Sequence, residues 1–381
     1  MNEQQKLMKN LARQIAEERI LPVRAELDEK EEFPRALIND LAASDLFRIF
    51  VPEEYDGMGG GCFDLCLVVE ELSRVCSGVA VSYAASGLGS FAIRQFGSEE
   101  QKRKYLPDVA AGKILTAFAL TEATAGSDAA ALKATADKVP GGYVLNGTKQ
   151  FITNAREADI YTVIALTDKT KGSRGASSFI VEKGATGFSF GKKEHKMGIR
   201  ASVTGELIFQ NCYVPESNLI GKEGMGFIQV LRTLDWSRPG IGAQAVGVAQ
   251  GALEASVDYA KQRVQFDHPI IALPVVQNKL ADMAIKVEAA RALVYAAART
   301  VDSGAKQISE ESSMAKVFAS DVAMEVTTDA VQIFGGAGYM RDFPVEKMMR
   351  DAKVTQIYEG ANDTLRSNIA GEVRKRGGKS D

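Results

Sequence analysis

The chain has 381 residues, 45% of them hydrophobic and 25% charged, which is typical of a globular protein with two or three domains. The 46 basic side chains nearly balance the 49 acidic ones, so composition predicts no general attraction to nucleic acid or to an anionic membrane. Two isolated histidines and four cysteines without a C-x-x-C pair argue against a metal site, a Ser-His-Asp triad and a disulfide framework.

The N-terminal stretch is charged and amphipathic and lacks the apolar segment of a secretory signal. We therefore expect it to be the first helix of a cytoplasmic protein. No run of 18 apolar residues occurs anywhere in the chain, so no membrane span is predicted.

Residues 1–113 are predicted to form a helical domain. Stretches 34–46 and 62–76 have helical apolar spacing. Ser98 followed by Gln101 fits a capping box, which predicts the start of a further helix.

Short β-branched and aromatic runs then follow, separated by Gly, Asn and Asp. These runs are AFAL, GGYVLNGTKQFIT, DIYTVIALT, SSFIVEKG and GELIFQNCYVP. They predict an antiparallel β domain over residues 114–222, with a hairpin turn at Asn146-Gly147.

Helical periodicity returns in residues 223–381, where we expect a four-helix-type bundle. One apolar stripe recurs at helical spacing and consists of Val276, Leu280, Met283, Val287, Ala290 and Val294. Other long helices are predicted over 226–261, 311–334 and 361–374. The whole chain thus reads as mainly α with a central β domain, and the missing βαβ alternation argues against a doubly wound nucleotide fold.

Several small-residue segments have both a structural and a functional interpretation. GMGGG at 57–61 lacks the spacing of a dinucleotide-binding loop and is best explained as a turn. TEATAGSD at 121–128 and FGGAG at 334–338 let backbone approach a ligand closely, but an ordinary loop and a helix C-cap explain them equally well.

Glu359 lies between Tyr358 and Gly360 in the apolar stretch QIYEG. The commonest fate of a glutamate is an exposed position on the surface. Burial beside apolar groups would instead raise its pKa and suit it to remove a proton from a weak carbon acid.

Taken together, these segments resemble the acyl-CoA dehydrogenase family over nearly the entire chain. The motifs that carry the resemblance are ALTEATAGSD, FITN, KMGIRAS, NCYVPESNLIG, LDWSRP, RVQF, QIFGGAG, PVEKMMRDAK and YEG, in the family's order. Each motif is weak alone, whereas the ordered set is highly specific.

The resemblance implies an N-terminal helical domain, a central β domain and a C-terminal bundle in a homotetramer that binds FAD and a fatty acyl-CoA. It implies α,β-dehydrogenation to the 2-enoyl-CoA, with Glu359 taking the α-proton and flavin N5 the β-hydride. Electrons would pass to an electron-transferring flavoprotein. An enoyl-CoA reductase running the same chemistry in reverse is the alternative.

The resemblance also assigns the remaining site residues. Cofactor-binding positions would be Leu120, Thr121, Phe151, Thr153, Arg263, Phe266, Gln332 and Gly336, the last four holding the ADP half of FAD across a subunit interface. Substrate-binding positions would be Ser127, near the pantetheine arm, Asp235 and Arg238 at the mouth of the site, and Gly360. No metal is implied. The backbone amide of Glu359 would bind the thioester carbonyl.

Some family members carry the base on the helix of the LDWSRP segment, where this chain has Ser237, so the resemblance favours Glu359 as the base. Other positions depart from frequent family residues and leave individual FAD contacts open. These positions are Phe151, Asp267, Leu273-Pro274, Ala361 and Asp363.

The acyl group is predicted from weaker signals. The helix SYAASGLGSFAIRQF is rich in small residues, which either leave room for a bulky acyl chain or allow tight helix packing. We expect a short-chain or small cyclic acyl-CoA. A hypothesis of another class is a non-catalytic helical scaffold or binding protein that shares the fold.

Overall fold

The N-terminal part of the chain is helical, as predicted. A computed structural model describes residues 1–376, so residues 377–381 of the predicted third domain lie outside the described part. The helices here are α1 Glu3–Ile15, α2 Arg24–Lys30, α3 Arg35–Ala43, α4 Cys62–Val75, α5 Ser77–Phe96 and α6 Glu99–Ala110. The predicted capping box is confirmed, because the Ser98 side chain accepts from the Gln101 amide and the Gln101 side chain accepts from the Ser98 amide.

The β region follows. Its strands are β1 Thr116–Ala119, β2 Thr135–Val139, β3 Gly142–Thr153, β4 Ile160–Leu166, β5 Ala176–Glu182, β6 Phe188–Lys193, β7 Thr204–Pro215 and β8 Leu219–Ile220. They form one sheet in the order β6-β7-β3-β2-β4-β5-β8, with β1 beside β4. The antiparallel prediction holds for most neighbours, but β4 runs parallel to both β1 and β2.

The hairpin turn predicted at Asn146-Gly147 is wrong. Both residues lie inside β3, where the pairing with β7 shifts register between Leu145 and Gly147. The chain reverses earlier, at Gly141, which has a φ of 79°. Gly147 serves a close approach instead, since a Cβ there would lie 2.7 Å from the Cβ of Ala134.

The C-terminal part returns to helices. It contains α7 Gly226–Gln262, the hairpin strands β9 Val264–Gln265 and β10 His268–Pro269, α8 Pro274–Asp302, α9 Ser309–Phe334, α10 Val345–Lys353 and α11 Asn362–Arg376. The three predicted long helices correspond to α7, α9 and α11, whereas α10 and the β9–β10 hairpin were not predicted. The apolar stripe of α8 is buried from Leu280 to Val294, and Val276 packs against the same core.

Packing between these parts defines where a site can form. The long helix α7 packs against α9, α8 and the N-terminal α4, and α5 packs against β1 of the sheet. One hydrophobic core therefore joins the N-terminal helices to the C-terminal bundle. A second core lies against the sheet. The four cysteines are free and buried.

Within residues 1–376, no helix is both long and apolar enough to span a membrane. The same part of the chain contains no cluster of three or more His, Cys, Asp or Glu side chains arranged to hold a metal ion.

Candidate functional site

Glu359 lies on a strained turn between α10 and α11. Its backbone φ is 52° and that of Gly360 is 105°, so two successive residues have left-handed conformations. Glycine adopts this conformation freely, but a glutamate does so at a cost of about 1–3 kcal/mol. The neighbouring structure must therefore hold the turn in place.

The carboxylate and the carbonyl of Glu359 are both held by α7. The hydroxyl of Ser237 donates a hydrogen bond to Oε2 of Glu359. The Nε of Arg238 donates to the Glu359 carbonyl oxygen at 3.2 Å, and its Nη1 donates to Oδ1 of Asp235 at 2.7 Å. Adjacent side chains on one helix thus hold both the carboxylate and the backbone carbonyl of Glu359.

The electrostatic environment favours the neutral form of this carboxyl. Removal from water raises the pKa of Glu359, while the Ser237 hydroxyl and the positive charges of Arg238 and Lys316 oppose the rise. The residue still keeps part of its surface accessible. A carboxylate that is poorly solvated yet accessible is suited to accept a proton from a bound molecule.

A second set of contacts holds the turn from α9. Lys316 donates to the carbonyl oxygen of Gly360 at 2.7 Å and to Oδ1 of Asn362 at 2.9 Å. The side-chain nitrogen of Asn362 in turn donates to Oγ of Ser320 and Oδ1 of Asp321, both at 2.8 Å. These bonds connect the start of α11 to α9 next to the turn that carries Glu359.

Tyr358 is hydrogen-bonded to α7, the same helix that holds Glu359. Its hydroxyl donates to Oε1 of Gln244, and Nε2 of Gln244 donates to Oγ of Ser77 at 2.6 Å. Burial raises the pKa of Tyr358. The tyrosine therefore acts as an uncharged anchor for the turn.

The backbone amide of Glu359 has no hydrogen-bond acceptor within residues 1–376. An amide N–H beside a carboxylate that can accept a proton provides both a donor for a carbonyl oxygen and a base for the neighbouring carbon. This pairing is what activation of a carbon acid next to a carbonyl requires.

The loop after β1 contains Leu120, Thr121 and Ser127. It is supported by a buried ion pair in which Lys149 donates to Oε1 of Glu122 at 2.7 Å and to the Leu120 carbonyl at 2.9 Å. Burial alone would raise the pKa of Glu122, but the Lys149 ammonium and two backbone amides hold it below its usual value.

Phe151 and Thr153 extend from the end of β3, next to this loop. Gln150 donates from its backbone amide to the Thr121 carbonyl at 2.8 Å, which joins the two segments. Phe151 has a φ of 58° at a register shift between β3 and β7, and 58% of its surface is exposed. The strained backbone turns an aromatic ring outward beside the loop.

The residues predicted to hold the ADP half of FAD lie elsewhere, at one end of the bundle. Arg263 caps α7, and Phe266 lies at the tip of the β9–β10 hairpin with 82% of its surface exposed. Gln332 and Gly336 lie at the end of α9 and are also exposed. The stacked rings of Tyr259 and Phe334, 4.0 Å apart, join these two helix ends.

The hairpin also explains one departure from the family's usual residues. Phe266 and Asp267 have φ values of 52° and 62°, the conformation of a tight two-residue hairpin turn. Glycine is favoured in that conformation, and aspartate tolerates it. Asp267 therefore preserves the turn that presents Phe266.

Two features of the site differ from expectation. Arg238, placed by the sequence at the mouth of the site, is buried beside Glu359, with 7% of its side chain exposed. From the sequence, Ser237 is recognised only as a position without a carboxylate, and no motif points to a role for Lys316, Lys149 or Glu122. A lysine among the apolar residues of a buried helix face or strand could have pointed to Lys316 and Lys149. Lysine is rarely buried unless it has a hydrogen-bond or ion-pair partner.

The chain matches three family models in order. They are the acyl-CoA dehydrogenase N-terminal domain over residues 2–113, the middle domain over 117–212 and the C-terminal domain over 224–373.

Similar proteins cover almost the full length of the chain. The acryloyl-CoA reductase (NADH) of Anaerotignum propionicum is 47% identical and covers 99% of this chain and 96% of its own. The butyryl-CoA dehydrogenase of Megasphaera elsdenii superimposes with a TM-score of 0.96 at 44% identity, covering 98% of this chain and 99% of its own. A chain solved in work on the electron-transferring flavoprotein of Acidaminococcus fermentans has a TM-score of 0.96 at 49% identity, covering 98% of each chain.

Proposed function

Because the chain belongs to the acyl-CoA dehydrogenase family, we propose that Glu359 is the base that removes the α-proton of the acyl-CoA. The protein is an FAD-dependent oxidoreductase of acyl-CoA thioesters. The observation that carries the assignment is a partly accessible carboxylate with a raised pKa, next to a backbone amide that has no protein acceptor in the described chain.

The contacts of the turn divide the work between neighbouring groups. Arg238 donates to the Glu359 carbonyl and so fixes the orientation of the peptide group between Glu359 and Gly360. Ser237 holds one carboxylate oxygen and leaves the other to accept the α-proton. The Glu359 amide is free to donate to the thioester carbonyl, which stabilises the negative charge that develops as the proton leaves.

The described residues fit FAD. When bound, FAD supplies the two-electron acceptor for this reaction. Within residues 1–376, the hydroxyls of Thr121, Ser127 and Thr153 make no hydrogen bond to protein, so they are available to a polar ligand. Phe151 offers an exposed aromatic face beside them. A Cβ at Gly336 would meet no atom within 4 Å, which leaves room for close backbone approach.

We propose a short, unbranched acyl chain as the substrate. The small residues of α5 that suggested space for a bulky group are used in packing. A Cβ at Gly89 would lie 2.4 Å from Oγ1 of Thr116, and one at Gly87 would lie 2.9 Å from the Phe50 ring. Phe91 and Trp236, with ring centroids 4.7 Å apart, occupy further volume between α5 and α7. The likeness to a butyryl-CoA dehydrogenase supports the same size range.

We further propose a homotetramer in the cytoplasm, with an electron-transferring flavoprotein as the electron acceptor. The predicted ADP-binding residues are exposed in the single chain, which suits a site completed by a second copy. The structural likeness to a chain from work on an electron-transferring flavoprotein supports that acceptor. The three family-model ranges support domain boundaries at 1–113, 114–222 and 223–381.

A second candidate is the reverse reaction, reduction of an enoyl-CoA, in which Glu359 would donate the α-proton. The 47% identity to an acryloyl-CoA reductase supports this reverse reaction as an alternative. The direction is tested by supplying purified protein with either butyryl-CoA and oxidised flavoprotein or crotonyl-CoA and reduced flavoprotein, and comparing the two rates.

The base assignment is tested by Glu359→Gln. We expect purified protein to be yellow, to bleach with short acyl-CoA thioesters in a chain-length panel, and to lose turnover by roughly 10²–10⁴-fold in this variant with its FAD retained. Normal turnover by E359Q would refute the assignment. A colourless wild-type protein that cannot be reconstituted with FAD would favour the non-catalytic scaffold.

A further inference from the structure

Lys316 is a fully buried lysine whose ammonium group lies behind the catalytic turn. Its relative exposure is 0%, and its two hydrogen-bond acceptors are the Gly360 carbonyl at 2.7 Å and Oδ1 of Asn362 at 2.9 Å. Both acceptors are neutral. A buried ammonium is costly unless its donors are satisfied and an opposite charge is near, so its retention here needs a reason.

Other buried lysines in the chain have a different arrangement. Lys149 forms an ion pair with Glu122 at 2.7 Å, and Lys347 forms one with Asp351 at 2.5 Å. In the described part of the chain, Lys316 forms no ion pair within 4.0 Å. The carboxylates that act on it electrostatically are Glu359 and Asp321.

We propose that Lys316 is a positioning residue for Glu359. Lys316 fixes the left-handed turn through the Gly360 carbonyl, and its positive charge favours the ionised form of Glu359. This inference rests on the proposed function. It adds to that function a residue on α9 that makes no hydrogen bond to the Glu359 carboxylate. Because Lys316 is buried, it does not contact the substrate either.

The positional part follows from the backbone. Glu359 and Gly360 have φ values of 52° and 105°, and the ammonium holds the carbonyl at the end of this pair. Arg238 holds the preceding carbonyl from the opposite helix, α7. Two cations thus hold successive peptide groups, and loss of either lets the strained turn relax and moves the carboxylate.

The electrostatic part depends on all charged groups around the turn. Ser237 and Arg238 from α7 and Lys316 from α9 act directly on Glu359, and Tyr358 lies beside it in the chain. Asp235 acts on Arg238, and Asp321 acts on Lys316. Burial is the main reason that the pKa of Lys316 falls to about 7. The charge of Glu359 opposes this fall, the positive charge of Arg238 adds to it, and the charge of Asp321 opposes it. Lys316 and Glu359 therefore titrate as an interacting pair.

The test compares three variants in the FAD-loaded enzyme. Lys316→Met removes the donors and the charge, and Lys316→Gln keeps an amide donor without charge. Lys286→Met is the matched control, because Lys286 lies on α8 in a surface ion pair with Glu325. For each, kcat, KM, FAD content and the pH dependence of kcat/KM are measured with a short acyl-CoA.

We expect kcat of K316M to fall on the order of 10²-fold with KM and FAD content nearly unchanged. The acidic limb of its kcat/KM profile should move to higher pH, because loss of the cation raises the pKa of Glu359. K316Q should keep more of kcat but show the same shift of the limb, and K286M should match wild type.

Wild-type kcat and an unmoved acidic limb in either Lys316 variant would overturn the proposal. Loss of FAD or of folding in both variants would also overturn it, since the lysine would then be structural. E359Q is assayed in parallel. If E359Q turns over normally, the proposed base is wrong, whereas an inactive E359Q with an unaffected K316M refutes only the role of Lys316.

Discussion

The hydroxyl of Ser237 donates a hydrogen bond to the carboxylate of Glu359 across 122 residues of sequence. Ser237 occupies the helix position from which other family members supply the base, as the resemblance implies. The helix position and the turn position therefore meet at one point in this fold. A carboxylate on either element can reach the same place, and here the helix supplies only a hydroxyl donor.

This contact predicts the pH dependence of Ser237→Ala. A hydrogen bond to the charged form stabilises that form, so its removal raises the pKa of Glu359 further. We expect the acidic limb of kcat/KM to move to higher pH, with about a tenfold or smaller loss at the plateau. The measurement is the rate of flavin bleaching by a short acyl-CoA between pH 5.5 and 9.

Ser256→Ala is the matched control for that variant. Ser256 lies on the same helix and is buried. Within residues 1–376 its hydroxyl donates only to the carbonyl of Ala252, at 2.7 Å in the same helix. Its profile should match wild type. An unchanged acidic limb in S237A would mean that the hydroxyl does not stabilise the ionised carboxylate.

Glu359→Gln is expected to make the folded protein more stable at alkaline pH. Folding raises the pKa of Glu359, so the ionised side chain destabilises the fold wherever the pH exceeds both the folded and the unfolded values. Gln removes that cost. The gain should be complete above the raised value and should vanish as pH falls toward the unfolded value of about 4.3.

The free energy of unfolding of both FAD-loaded proteins is measured by urea titration from pH 5 to 8. Chromatography with absorbance at two wavelengths first establishes equal FAD content, because bound cofactor itself adds stability. A wild type that is more stable than E359Q at pH 8 would contradict the inferred cost of ionising the poorly solvated Glu359 carboxyl.

Lys149→Met should weaken both the fold and the binding of FAD. Lys149 is fully buried and carries the charge that compensates Glu122, so its removal leaves an unpaired buried carboxylate. Breaking such a pair costs about 3–5 kcal/mol. The loop with Leu120 and Thr121 also loses its support, so FAD should dissociate more readily, as measured by fluorescence of the released flavin.

The double variant Lys149→Met/Glu122→Gln separates charge from packing. It leaves no unpaired charge. The backbone amides of Lys133 and Ala134 donate to separate oxygens of Glu122, and the single carbonyl oxygen of Gln can still accept from one of them. We expect it to recover part of the lost stability. Equal stability of K149M and wild type would show that the pair contributes nothing to the fold.

Gly360→Ala should lower activity by straining the turn. Gly360 has a φ of 105°, and a Cβ there would lie 2.8 Å from Cδ2 of Leu365. We expect a loss of about 1–3 kcal/mol in stability and on the order of 10²-fold in kcat, because Glu359, the proposed base, is displaced. Thermal unfolding and steady-state kinetics measure the two effects.

Gly371→Ala is the control on the neighbouring helix α11. A Cβ at Gly371 would meet no atom within 4 Å, and alanine is the better helix former by about 1 kcal/mol. This variant should keep full activity and should not lose stability. If G360A behaves like it, the left-handed conformation of the turn does not matter for catalysis.

The sequence alone predicted the order of the fold. Apolar spacing located α4, α7, α8 and α9 because a helix buries one face at a period that local sequence must display. The Ser98–Gln101 capping box located the start of α6 for the same local reason. The turn predicted at Asn146-Gly147 is wrong because this dipeptide indicates only a local backbone conformation. The conformational freedom of glycine is also compatible with an irregularity inside a long strand, which is what β3 has here.

The sequence also singled out Glu359, from its apolar neighbours and the glycine that follows, and the ordered motifs identified the family. Tertiary structure alone decided which groups surround that carboxylate. Ser237, Arg238 and Lys316 come from two helices that are remote in sequence, and their contacts depend on how α7 and α9 pack. Periodicity tells which face of a helix is buried, whereas hydrogen bonds and charge interactions depend on distances between elements, which no local pattern encodes.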